Sequence, residues 1–244
     1  MIWIFCILFL ISSHQKDPYY NKQGRPSTYG INAYIKNNEE SLIREYEYRI
    51  DTLYDVYIYS DNLDQISDGD LGEFYIPDYI TITNQEKFIA YEFKQLSKFK
   101  QKTISYNERT VKGVIFHELT HAYFYQILIT MKNNNQYISP EYSNLRMVPI
   151  SNFSADFIEE GICEFVNYYL NEGNSVGNIP IPDNVKDLLD ENNKVNNLYG
   201  YSSIFLKDFL YKNGIKRGIE ILVANKPPTY EEILNPELFY KRLK

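Results

Sequence analysis

An α+β fold is predicted for this chain, with its strands gathered in the first half and its helices in the second. Short aromatic and β-branched runs fall between residues 54 and 83, whereas long stretches with apolar residues at helical spacing dominate after residue 105. Strands first and helices after is unlike the alternation that builds a parallel sheet. At 244 residues the chain suits one sizeable domain or two small ones. No charge run or low-complexity stretch marks a linker. One unit is therefore expected over residues 39–244, with an N-lobe to about residue 135 and a C-lobe after it.

Met1 to Ile11 is an apolar run, too short to span a bilayer, followed by Ser12, Ser13 and His14. It fits the apolar region of a secretory signal over residues 1–13, although no Lys or Arg precedes it. A secreted or periplasmic protein with no membrane span in the mature chain follows from that reading. Residues 14–38 read as a loose leader. From Glu39 to Leu53, the residues Leu42, Ile43, Tyr46, Ile50 and Leu53 recur at helical spacing. Tyr54–Ser60, Phe74–Ile76 and Tyr79–Thr83 read as strands, with Pro77 marking an edge or a bend. Ile89 to Phe99 again has helical spacing.

Ser105 and Glu108 form a possible capping box that opens a long helix from about Glu108 to Lys132. Residues 136–152 contain Pro140 and Pro149 and read as an extended loop. A second strong helix is predicted over Ser154–Asn171, stopped near Gly173. Further helices are expected over Asp183–Glu191, Tyr199–Asn213 and Ile215–Ala224. A last short one follows Pro227 and Pro228, opened by Thr229 and Glu232 as a second capping box.

Composition narrows the function. Hydrophobic residues make up 44% of the chain and charged residues 23%, as in ordinary globular proteins. The 24 Tyr and 14 Phe allow an interior in which rings pack while phenol hydroxyls find partners. A net charge of −7 argues against nucleic acid, because phosphate binding needs clustered Lys and Arg. With residues 1–13 removed, Cys163 is the last cysteine, so no disulfide within the chain holds the fold.

The chemistry is carried by His117-Glu118-Leu119-Thr120-His121, inside the long helix. Residues i and i+4 stack on one helix face, so both imidazoles can address one metal ion. Glu118 lies beside them, placed to take a proton from an attacking water. The chain has 3 histidines, and this motif uses two of them. Apolar neighbours Val111, Val114, Ile115, Leu119 and Ala122 surround it, and an apolar setting disfavours such groups unless they are paired or metal-bound.

A catalytic zinc takes three protein ligands and leaves one position open. His14 lies at the signal junction, and Phe124 and Ile127 stand where a third histidine of an extended motif would be. A carboxylate is expected instead. The candidate segment is Phe157-Ile-Glu159-Glu160-Gly161-Ile-Cys163-Glu164 on the next strong helix. Glu160 would reach the metal if the two helices cross, with Gly161 permitting a close backbone approach. Glu164, one turn later, could fix the tautomer of a ligand histidine, or be a surface charge. Glu159 points to another face and reads as solvated. Cys163 is a chemically possible ligand, although a lone Cys is more often a small core residue.

At these residues the sequence resembles the gluzincin metallopeptidases, and most of all small secreted "peptidase MA-like" proteins. Their ligand Glu often lies in Asn-Glu-Gly-x-x-Glu-Tyr; here Glu159-Glu160-Gly161-Ile-Cys163-Glu164-Phe165 has Glu for Asn and Phe for Tyr. The resemblance covers about residues 72–240. It implies a zincin-like fold, with a small mixed sheet and the active-site helix in the N-lobe and a mostly helical C-lobe. It implies one zinc ion held by His117, His121 and Glu160, Glu118 as base, and Glu164 beside a ligand histidine. Such enzymes also use a Tyr or His to support the oxyanion. No spare histidine exists, so Tyr199 or Tyr201, in Leu198-Tyr-Gly-Tyr-Ser-Ser203, is implied. The strand that presents an extended peptide would correspond to about Gly72–Thr83. The acidic motif of the aminopeptidases is not evident.

The function read from the sequence is thus hydrolysis of a peptide or protein substrate by a zinc-dependent peptidase. Two rivals stand beside it: a catalytically silent scaffold that keeps its metal, and an amidase acting on a non-protein amide.

Overall fold

The computed structural model describes residues 28–53, 56–59, 73–75, 89–92, 108–143, 153–170, 181–189 and 198–243. Within these, side chains are described for residues 37–53, 112–142, 153–169, 181–188 and 198–243. The secretory signal, the strand expected at Tyr79–Thr83 and the Ser105 cap lie outside the described residues.

Helix α1 spans Thr28–Arg49. Strands β1 (Val56–Tyr59), β2 (Glu73–Tyr75) and β3 (Ile89–Glu92) follow. The long α2 is Glu108–Asn133, α3 is the short Pro140–Ser143, and α4 is Phe153–Leu170. A 3₁₀ turn at Val185–Leu189 precedes α5 (Gly200–Asn213), α6 (Ile215–Val223), α7 (Tyr230–Leu234) and α8 (Pro236–Arg242).

The core is helical. Helix α2 buries Ile115, Phe116, Leu119, Ala122, Phe124 and Ile127 on several sides, as a helix apolar nearly all round must. Helix α4 buries Phe157, Ile158, Ile162 and Val166 against it, and α5 adds Phe205, Leu206 and Leu210. Phe205 lies edge-on to Phe157, with ring centroids 5.2 Å apart, and joins Phe239 of α8 at 5.4 Å. The Thr229 capping box is formed: the Thr229 side chain accepts from Glu232 N, and the Glu232 carboxylate accepts from Thr229 N.

The α+β expectation is corrected. Of the residues with described side chains, 81% are helical and none lies in a strand. Among the described residues, strand is confined to three backbone segments of 4, 3 and 4 residues, in the order β1-β3-β2. Segments so short supply no layer on which helices could pack, so the helices bury one another instead. In this small sheet β1 runs parallel to β3, and β2 runs antiparallel to it at one edge.

Local expectations also change, and the loop expected over residues 136–152 holds the short helix Pro140–Ser143. The helical spacing at Ile89 gives way to a strand, because Ile89–Glu92 is paired on both sides. The leader expected through residue 38 is helical from Thr28. No Pro interrupts Thr28–Arg49, and Gly30 sits in the first turn, so its many polar residues were compatible with a helix after all.

Candidate metal centre

The crossing of α2 and α4 brings the sequence-predicted ligands together. His117 Nε2 and His121 Nε2 are 3.2 Å apart. Glu160 Oε2 lies 3.2 Å from the first and 3.6 Å from the second. The three donor atoms thus form a tight triangle. A tetrahedral zinc with bonds of about 2.0–2.1 Å separates its ligands by about 3.3 Å, which these three distances match.

The outer nitrogens of both rings meet carboxylates. His121 Nδ1 is 2.7 Å from Glu159 Oε1. An ionised carboxylate can only accept, so His121 donates from Nδ1 and keeps its lone pair on Nε2, facing the other two donors. Glu164 Oε1 lies 3.2 Å from His117 Nδ1, yet Nδ1 has no hydrogen-bond partner. Glu160 Oε2 is likewise buried without one. Two orphaned polar atoms in one buried pocket are costly unless a further group completes them.

The electrostatics show the same demand. Burial lowers the affinity of both imidazoles for a proton, yet both are held well above the ordinary histidine value. For His117 the Glu160 and Glu164 carboxylates reverse the effect of burial, and for His121 it is Cys163, Glu160 and Glu159. Burial also opposes ionisation of Glu160, but His121 and His117 hold its carboxyl well below the usual carboxylate range. The pocket favours positive charge among these side chains. Protons on the rings can supply it, and so can a cation between them. The donor set therefore fits a zinc ion.

Glu118 is buried on the same helix, next to His117. Its sequence position places it beside the ligand face. Tyr199, just before α5, is half-buried with its ring edge-on to His117 at 6.1 Å between centroids. Gly161 explains that placement. A Cβ there would stand 2.8 Å from Ser202 O, so its absence lets the first turn of α5 lie against α4. The close approach is thus to α5, not to the helix bearing the histidines.

Tyr201 is not brought to the site. Its buried hydroxyl donates to Ile233 O at 2.6 Å, and its ring packs on Phe157. Burial pushes its phenol up to about 12. Glu159 is a second correction: it is buried against His121, not solvated. The signal was present in the sequence. Each ligand histidine needs a partner for its outer nitrogen, and acids flank Glu160 at 159 and 164. Cys163 is fully buried beside both rings, and burial pushes its thiol up.

No known family matches the chain, and no curated protein or solved structure is similar to it. Among the described residues no helix is long and apolar enough to cross a membrane.

Proposed function

We propose that this chain is a zinc-dependent peptidase, with His117, His121 and Glu160 as the metal ligands. One observation carries the reading: two Nε2 atoms and Glu160 Oε2 converge at tetrahedral ligand spacing, with Glu118 buried next in sequence to the first of them. A purely structural site has no use for an acid at that position. When bound, zinc supplies Lewis acidity, which lowers the pKa of water towards about 7 and polarises the scissile carbonyl.

The chain's own residues do the rest. Glu159 orients the His121 imidazole from outside, while Glu164 places its charge 3.2 Å from the outer nitrogen of His117. Glu118 takes the proton from the attacking water and delivers it to the leaving amine. Tyr199, whose ring lies beside His117, supplies the phenol that supports the developing oxyanion. An extended peptide would add to β2, which among the described residues is an edge of the sheet. The HExxH and Glu-Gly-x-x-Glu spacing of the gluzincins supports this assignment of roles.

The test is hydrolysis of a mixed peptide library by metal-loaded wild type and Glu118→Gln. The substitution is expected to lower turnover by about 10²–10⁴-fold while metal content stays unchanged. Equal background turnover in both proteins would sink the peptidase reading and favour a silent scaffold. Turnover confined to non-peptide amides would favour an amidase.

A further inference from the structure

The pocket contains one more donor than a catalytic zinc uses. Cys163 lies on α4 at i+3 from Glu160, so the two share a helix face. It is fully buried and forms no disulfide. Its Sγ and one ring nitrogen from each of His117 and His121 lie within 4.8 Å of one another. The groups it joins are not inert packing. The His117 side chain is only 10% exposed, with Nδ1 lacking a hydrogen-bond partner, and Glu160 Oε2 is orphaned beside it.

We propose that Cys163 is a fourth protein ligand, so that the metal site alternates between a closed form capped by its thiolate and an open form that admits substrate. The proposal rests on the metal site argued under the function above. Tetrahedral zinc accepts mixed nitrogen, oxygen and sulfur donors, and its sulfur and nitrogen ligands stand about 3.6 Å apart. All three atoms lie within 4.8 Å of one another, a bound that admits this spacing. Four protein ligands make the closed geometry of structural zinc sites, whereas three leave the position catalysis needs.

Closing is a ligand exchange without oxidation. The thiol proton leaves to solvent, a sulfur–metal bond forms, and the water in the fourth position departs. A coordinating divalent cation drives a thiol to its thiolate, which overcomes the effect of burial. Opening reverses each step. Peptidase activity would then be held down in the resting protein and released when the sulfur is displaced or blocked.

The experiment replaces the metal with Co2+ in the full chain and records absorption. Wild type is expected to show an intense near-ultraviolet band from thiolate-to-cobalt charge transfer. Cys163→Ser and Cys163→Ala should both lose that band while taking up one equivalent of cobalt, which guards against a variant that merely misfolds. Cobalt should also protect wild-type Cys163 from alkylation by iodoacetamide, and Cys163→Ser should turn substrate over faster at saturating zinc. Stoichiometric cobalt in wild type without the band would overturn the fourth ligand and leave the three-ligand site standing. Failure of all three proteins to take up cobalt would overturn both.

Discussion

Helix α2 carries two polar clusters, and they are built on opposite principles. Towards α1 and α6, the Tyr46 hydroxyl donates to Thr120 Oγ1 at 3.1 Å, and Thr120 Oγ1 donates to Phe116 O at 2.7 Å. The Tyr123 hydroxyl donates to Asp51 Oδ2 at 2.7 Å, and Lys216 Nζ stands 3.2 Å from the same oxygen. The protein answers each of these groups from within. Towards α4, the same helix presents His117 and His121 to Glu160, and His117 Nδ1 and Glu160 Oε2 lack hydrogen-bond partners. A self-sufficient network stabilises. An incomplete one, where two such atoms share one buried pocket of imidazoles and carboxylates, marks where something from outside belongs.

The largest expected effect tests that contrast directly. Zinc at about 100-fold over its dissociation constant stabilises a protein that binds it only when folded by about 2.7 kcal/mol. Wild type should show this rise in thermal unfolding, reversed by a chelator, and Glu160→Ala should not. Tyr46→Phe should keep the full zinc response, because its cluster has no part in it. A full response in Glu160→Ala would move the ligand role to another donor of the pocket and break the contrast.

Next in size is Glu159. Removing a carboxylate that orients a ligand histidine weakens metal binding by about 10–100-fold. Glu159→Ala is therefore expected to lose zinc affinity by that factor in competition with a chromophoric chelator. An unchanged affinity would return Glu159 to the status of a simple buried acid. Smaller again is Tyr46→Phe, which deletes one buried hydrogen bond and should lower unfolding free energy by about 1 kcal/mol in denaturant titration. A neutral result would mean that Thr120, bonded also to Phe116 O, needs no second partner.

What the sequence made legible follows the same division. The His117–His121 pair is a local fact, because a helix fixes residues four apart on one face. The bounds of α2 and the Thr229 cap were readable for the same reason. Glu160 could be reached by elimination. Glu159 could not be assigned its partner, since that depends on how α4 crosses α2. Tyr201 was misjudged because its hydroxyl partner, Ile233 O, comes from a distant helix. The sheet was overweighted because short aromatic runs score alike whether or not they meet partners. Ile89–Glu92 went the other way, its pairing with β1 and β2 overriding a helical period.

The smallest effect distinguishes the two halves of the self-sufficient network. Burial raises the pKa of Asp51, but hydrogen bonds from Tyr123 and the Thr52 backbone, with Lys216 beside them, bring it below its ordinary value. A carboxyl depressed in the folded state contributes stability above its unfolded pKa of about 3.9, and that contribution fades as pH falls through the lower folded value. Tyr123→Phe removes one cause of the depression. The stability gap between wild type and Tyr123→Phe should therefore be constant from about pH 5 upward and narrow below about pH 4. The gap for Tyr46→Phe should stay flat over the same range, because neither Tyr46 nor Thr120 titrates there; burial pushes the Tyr46 phenol further up. Denaturant titrations of the three proteins at several pH values compare the gaps. Two parallel gaps would show that Asp51 is not the group through which Tyr123 acts, and that the Thr52 backbone and Lys216 set its charge.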